Sequence, residues 1–178
     1  MSTRALRPLV ALAILALAAA GCVPTPEPTP SAPAFTSEAE AFAAAEETYR
    51  AYVDALNQVD LSDPETFEAV YAWTTGDANA GERTTFSQMH ADGWLVKGTT
   101  AFDGFRPVSF TSDAPVSVVA ELCLDVSGVD VFDRDGNSVV PAERLDRQPV
   151  VVTFLESGST LTHLTIDASD AMDGHQCS

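Results

Sequence analysis

The chain has 178 residues, of which 46% are hydrophobic, and a formal net charge of −17 at pH 7. A strongly acidic chain repels nucleic-acid phosphates and anionic lipid headgroups, which excludes DNA and RNA as partners. The acidity is explained either by the solubility that net charge confers or by binding of cationic ligands. Composition leaves both explanations open.

The first 21 residues have the pattern of a secretory signal peptide. Arg4 and Arg7 form a short basic region, and an uncharged apolar run follows at 9–20. This run is shorter than the about 20 residues that a membrane-spanning helix needs. We expect residues 1–21 to be removed during export. The remaining chain then carries a formal charge of −19, because two basic residues leave with the signal.

A lipid anchor is predicted at Cys22. The sequence A-A-A-G-C, residues 18–22, resembles the lipobox of bacterial lipoproteins, although Ala19 stands where that family usually has Leu. The resemblance implies that Cys22 is acylated, for example with palmitate, and becomes the first residue of a protein held at the extracytoplasmic face of the cell membrane. Ordinary secretion, with cleavage after Ala20, is the alternative.

Residues 22–35 are predicted to form an extended stalk. Five prolines, at positions 24, 26, 28, 30 and 33, favour the polyproline II conformation and prevent packing into a core. At roughly 3.1 Å per residue the segment would span about 40 Å, which would hold a domain clear of the lipid surface.

The other two cysteines, Cys123 and Cys177, are predicted to form a disulfide bond. They are the pair that is left once Cys22 carries lipid, and exported proteins fold in an oxidising environment where disulfides persist. Two free thiols are the alternative.

The domain at 36–178 begins with helical patterns. Ser37 and Glu40 form a capping box ahead of apolar residues at helical spacing. Pro64 suits the first turn of a second helix, which Gly76 would end. The three predicted helices lie at 37–58, 62–76 and 79–90.

The second half of the domain alternates with the period of two that is typical of strands. Alternation is clearest at 115–127, where one face is apolar and the other carries Glu121, Cys123 and Asp125. Strands are predicted at 94–98, 105–110, 115–127, 150–156 and 161–168, with turns at 103–104 and 156–160. Helices followed by antiparallel strands indicate an α+β domain with the helices on one sheet face.

This arrangement resembles the NTF2-like, or SnoaL-like, cone fold, in which N-terminal helices pack into a curved antiparallel sheet. It is also similar to a group of actinobacterial lipoproteins with that fold, which carry a C-x-D-x-S strand, a D-x-D-G turn and a terminal cysteine. The matching residues are Cys123, Asp125, Ser127, Asp133, Asp135, Gly136 and Cys177. The resemblance implies a fold for residues 35–178, and a homodimer through the outer sheet face as in many relatives. It implies no activity.

The acidic segment 133–137 is predicted to be a turn. An EF-hand loop with Gly136 at its sixth position would place Val131 first and Ala142 twelfth, where calcium needs oxygen ligands. Asp, Gly and Asn tolerate the backbone conformations of turns. The three histidines share no metal-ligand spacing, so we predict neither a metal nor another cofactor.

The sequence contains no nucleophile elbow and no glycine-rich phosphate loop. In NTF2-like folds the sheet and first helix enclose an apolar cavity, where steroid-isomerase relatives place an Asp base and hydroxyl donors. No inward strand Asp can be singled out here as a base. Six aromatic residues are candidates for lining such a cavity or for filling the core: Tyr49, Tyr52, Trp73, Trp94, Phe105 and Phe154.

Three functional hypotheses are compatible with these patterns. We expect a non-enzymatic module of the cell envelope, which binds a protein, a peptide or a small hydrophobic ligand through its cone or sheet face. The alternative is a small isomerase, cyclase or hydrolase. That function needs an open cavity with an inward carboxylate or His facing a Tyr or Trp donor. A calcium-dependent adhesin is a third hypothesis.

Replacing Cys22 with Ala should release the protein from membranes, because the acyl chains lose their attachment point. The measurement is the distribution of the protein between membrane and soluble fractions. A variant that stays in the membrane fraction would contradict the lipid anchor.

Overall fold

The computed structural model describes residues 34–177. The predicted signal peptide, the lipidation site Cys22 and stalk residues 22–33 lie outside the described residues. The helices are α1 (Glu38–Leu56), α2 (Glu68–Tyr71, preceded by a 3-10 turn at Pro64–Phe67) and α3 (Gly76–Asp92). The strands are β1 (Leu95–Lys97), β2 (Ala101–Thr111), β3 (Ser117–Asp125), β4 (Asp130–Phe132), β5 (Arg147–Glu156) and β6 (Leu164–Ala171).

The strands form two antiparallel sheets. The larger sheet has the order β2-β3-β5-β6, and β1 pairs with β4 in a small separate sheet. Register shifts interrupt the β2–β3 and β5–β6 pairings, and such bulges bend and twist a sheet. Helices that precede an antiparallel sheet and pack on one of its faces are the arrangement that the sequence predicts. The α+β class is confirmed, and the arrangement is consistent with an NTF2-like cone.

Helix α1 packs on the inner face of the larger sheet through residues four positions apart. Ala41, Ala45, Tyr49 and Val53 are all buried on this side of the helix. The strands contribute alternating buried residues to the same core: Val118, Ala120, Leu122, Val150, Val152 and Phe154. The predicted inward face of the 115–127 strand is therefore the one that the core uses.

Ser37 caps the start of α1 as predicted, whereas Glu40 bonds a different backbone group from the one that a capping box predicts. The Ser37 hydroxyl accepts a hydrogen bond from the Glu40 backbone N–H (3.2 Å). The Glu40 carboxylate accepts from the backbone N–H of Thr36 (2.8 Å) instead of that of Ser37. The hydrogen bonds from Thr36 lower the pKa of Glu40.

A second apolar cluster joins the shorter helices. Its buried members are Ala55, Leu61, Phe67, Val70, Tyr71 and Phe86. Beyond α2 the chain runs alongside β6, where the Thr75 N–H donates to the Ile166 carbonyl (2.7 Å) and the Ile166 N–H donates to the Trp73 carbonyl (2.9 Å). These bonds fix the start of α3 against the edge of the sheet.

Several predicted boundaries are wrong, and one strand was not predicted. Gly76 begins α3 instead of ending the second helix. Its φ is positive (50°), and a Cβ atom at this position would clash with the Asp167 carboxylate, so glycine is required there. The predicted turn at 103–104 lies inside β2, where a bulge accommodates it. The last strand starts at Leu164 and not at 161, since the loop closes through a Ser157 N–H bond to the His163 carbonyl (2.8 Å). The three-residue strand β4 was not predicted, because so short a segment shows no alternation.

Cys123 and Cys177 lie at disulfide-bonding distance, with their Cα atoms 5.7 Å apart. Cys123 is on the outer face of β3, so the bond ties the C-terminal segment to the sheet. The same outer face carries ion pairs of Arg147 with Asp103 (2.7 Å) and Asp125 (3.4 Å).

Within residues 34–177 no helix has both the length and the apolar character needed to cross a bilayer.

Replacing both Cys123 and Cys177 with Ser should lower the free energy of unfolding by about 4 kcal/mol, since the bond closes a long loop in the unfolded chain. The measurement is denaturant unfolding with and without reductant. Reductant should destabilise the wild-type protein to the level of the double variant and leave that variant unchanged. Two alkylatable thiols in the non-reduced protein would refute the bond.

Candidate functional site

A cavity of about 420 Å³ lies between α1, α3 and β6. Helix α1 contributes Tyr49, Tyr52 and Leu56 to its wall, and Ile166 on β6 closes the apolar floor. The contribution of α3 is mostly polar or small: Asp77, Ala78, Gly81, Glu82, Thr85 and Phe86. Clefts of this size hold small organic ligands in other proteins.

Glu82 is the half-buried carboxylate of this cavity. Helical spacing places it between Ala78 and Phe86, one turn from each, on the inward side of α3. Burial raises its pKa, and hydrogen bonding by the Tyr52 and Thr74 hydroxyls only partly opposes that shift. The Thr74 hydroxyl donates to Oε2 of Glu82 (3.1 Å). A carboxylate with a raised pKa in a cleft is typical of binding and catalytic sites.

A hydrogen-bond chain on the far side orients Thr74. The Nδ2 of Asn79 donates to the Thr74 hydroxyl oxygen (2.9 Å), which leaves the hydroxyl hydrogen free to point at Glu82. Asn79 is held in turn by the Nε of Arg83, which donates to its Oδ1 (2.8 Å). The carboxylate therefore has a fixed position before any ligand arrives.

Two tyrosines of α1, Tyr49 and Tyr52, lie across the cavity from Glu82. Their ring centroids are 5.5 Å apart, and the Tyr49 ring packs edge-on against the Phe102 ring, with 4.9 Å between centroids. Burial, and next the negative charge of Glu82, raise the pKa of both phenols, so both are neutral hydrogen-bond donors at physiological pH. Tyr49 is only 2% exposed.

Two further carboxylates line the cavity, those of Asp77 at the start of α3 and Asp170 near the end of β6. Gly81 forms part of the wall between them. A Cβ atom at Gly81 would contact nothing within 4 Å, so no steric clash requires glycine there. A glycine inside a helix costs about 1 kcal/mol relative to alanine, and here it leaves the cavity wide.

Of the six aromatic candidates, the structure brings Tyr49 and Tyr52 to the cavity and leaves the other four elsewhere. Phe154 is fully buried beneath the sheet face, and Phe105 packs against the same core. Trp73 and Trp94 pack against the helical cluster. Only tertiary packing separates the aromatic residues that line the cavity from those that fill the core, because both kinds have the same spacing in the sequence.

The acidic segment is a turn, as predicted. Asp133 accepts hydrogen bonds from the backbone N–H groups of Asp135 and Asn137 (both 2.9 Å), and Gly136 takes a positive φ of 82°. His90 bonds the Leu61 carbonyl through Nδ1 (2.7 Å). Over residues 34–177 no three His, Cys, Asp or Glu side chains are grouped so as to hold a metal ion.

Glu82, Asp77, Asp170 and Gly81 were not singled out from the sequence. One signal for Glu82 was present: it falls four residues before the inward Phe86 on a helix, where an apolar residue is expected. No comparable signal marks Asp170, which needs the fold to bring β6 beside α3.

No family model and no curated protein matches the chain. A periplasmic fragment of TraM has a similar solved structure, with a TM-score of 0.47 and 11% identity over 77% of this chain and 98% of that one. A candidate polyketide cyclase from Xanthomonas campestris pv. campestris has a TM-score of 0.34 and 13% identity, over 71% of this chain and 90% of that one. At these TM-scores neither similarity bears on function.

Replacing Glu82 with Gln should stabilise the protein at pH 8 by about 1 kcal/mol, because the amide keeps an acceptor for Thr74 without a buried charge. Since the folded-state pKa of Glu82 is raised, its proton stabilises the fold at low pH, and this contribution is lost as pH rises through the folded pKa. The advantage of the variant should therefore shrink towards pH 4. Melting temperature across this pH range is the measurement.

The exposed loop residue Glu143 gives a matched control, because Glu143→Gln removes the same charge outside the cavity. A Glu82→Gln variant whose advantage is the same at every pH would contradict the assignment of Glu82 as a desolvated carboxylate.

Proposed function

We propose that this protein is a lipid-anchored, non-enzymatic binding module at the extracytoplasmic face of the cell membrane, of the kind seen in the actinobacterial lipoproteins that its sequence resembles. Its cavity between α1, α3 and β6 binds a small, partly hydrophobic ligand. The observation that carries the proposal is that cavity of about 420 Å³, walled by Tyr49, Tyr52 and Glu82.

The features of the cavity favour ligand binding over core packing. Leu56, Phe86 and Ile166 supply apolar surface, while Glu82 and Tyr49 supply a few fixed polar groups. Binding sites for small molecules commonly combine these two kinds of surface. The lipobox at 18–22 and the proline-rich stalk support the tethered location. The same proposal includes a homodimer through the outer sheet face, which exposes Val108 to 48%.

An enzyme acting on a hydrophobic substrate is the second candidate. The observation that favours it is the desolvated Glu82 carboxylate facing the Tyr52 hydroxyl, because a raised carboxyl pKa beside a neutral donor suits proton transfer. The two candidates differ in the fate of the ligand. A binding module returns its ligand chemically unchanged, as mass spectrometry of the recovered ligand would show, whereas an enzyme releases a product.

Replacing Gly81 with Phe should weaken binding of the neutral apolar dye Nile red at least tenfold, because the new ring has room to enter the cavity. The fold should be retained, since Phe has a higher helix propensity than Gly. Dye fluorescence titrated against full-length protein is the measurement, with melting temperature as a check on folding.

The neighbouring exposed residue Ala80, which does not line the cavity, provides the control. Ala80→Phe adds the same ring to α3 outside the cavity and should bind the dye as the wild-type protein does. Equal dye binding by the wild-type protein and Gly81→Phe would show that the cavity is not the binding site.

A further inference from the structure

The cavity is lined by acidic groups without basic ones. Asp77, Glu82 and Asp170 lie in its wall, and no Lys, Arg or His belongs to the lining. Glu82 is half-buried, whereas Asp77 and Asp170 are exposed to solvent. Together the three carboxylates give the cavity wall a negative potential. A ligand with positive charge would relieve it.

Glu82 has no cationic partner within the described part of the chain. The ion pairs among residues 34–177 all involve other carboxylates. Arg83 follows Glu82 directly, but its guanidinium stacks on the Tyr71 ring at 3.9 Å and approaches Glu68 at 3.8 Å. The fold thus turns the adjacent positive charge to the other side of α3.

The tyrosine side of the cavity offers a second attraction for a cation. Tyr49 is 2% exposed and lines the cavity together with Glu82, so both side chains border the same space. The electron-rich rings of Tyr49, Tyr52 and Phe86 attract cations by the cation–π interaction.

The same geometry argues against an inorganic ion. Calcium needs six to eight oxygen ligands at about 2.3–2.6 Å, whereas the described residues bring no three carboxylate, His or Cys side chains together for a metal. The carboxylates are spread around a cavity that also holds Leu56 and Ile166. A bulky cation with an apolar part fits this distribution better than a bare ion.

We infer that the cavity binds an organic ammonium, a protonated amine attached to an aromatic or aliphatic body. The N–H groups donate to the Glu82 carboxylate and to the Tyr49 hydroxyl oxygen. The apolar body lies against Leu56, Phe86 and Ile166. This inference rests on the proposed function, since it names the ligand class of the same cavity.

Competition between Nile red and two probes with the same phenylbutyl body tests the ligand class. The probes are 4-phenylbutylamine, which is protonated at pH 7.5, and 4-phenyl-1-butanol, which has the same body and no charge. With full-length protein, the amine should displace the dye at a concentration at least tenfold lower than the alcohol. In Glu82→Gln this preference, measured against that variant's own affinity for the dye, should fall to about twofold or less, with melting temperature as a check on folding.

Glu143→Gln is the matched control, because it changes the net charge equally and should keep the full preference for the amine. Equal displacement by the amine and the alcohol would overturn the ammonium inference. If Gly81→Phe still weakens dye binding in that case, the proposed function would stand. A preference that survives in Glu82→Gln would also overturn it, because the overall acidity would then be the cause. Dye binding that Gly81→Phe does not affect would refute the proposed function and this inference together.

Discussion

The backbone hydrogen bonds between residues 73–75 and Ile166 are the constraint on which the site depends. They pair the chain after α2 with β6, which would otherwise present an unpaired sheet edge. They also set the point at which α3 begins. Glu82 lies six residues after Gly76, the first residue of that helix. The same bonds therefore orient the Glu82 side chain toward α1 and β6 and bring the Thr74 hydroxyl within hydrogen-bonding distance of it.

Two features of the cavity carry a cost to stability that packing does not explain. Glu82 is a desolvated carboxylate without a cation among the described residues, and Gly81 lies inside α3 where a Cβ atom would meet nothing within 4 Å. Each is unfavourable by itself. Both residues that destabilise the fold, Glu82 and Gly81, line the same cavity. Destabilising residues grouped in one place are typical of binding and catalytic sites.

The elements with strong local signals were predicted well. The Ser37 cap and the apolar residues at helical spacing marked α1. Alternation along β3 identified its buried face. Prediction failed where tertiary contacts override local preference, as at Gly76, where the Asp167 carboxylate leaves no room for a Cβ atom at the start of α3. It also failed for β4, whose three residues gain their structure from pairing with β1.

By itself, the sequence determined the α+β class, the helical first half, the inward face of the sheet and the acidic turn, because each depends on neighbours a few positions apart. Only the tertiary structure decided that Tyr49 and Tyr52 would face a cavity while Phe154 fills the core, and that Glu82 would lie between α1 and β6 with Arg83 turned away. A cavity consists of side chains that are distant in the chain, and its electrostatics depend on which charges folding brings together and which it separates. Local periodicity contains neither kind of information.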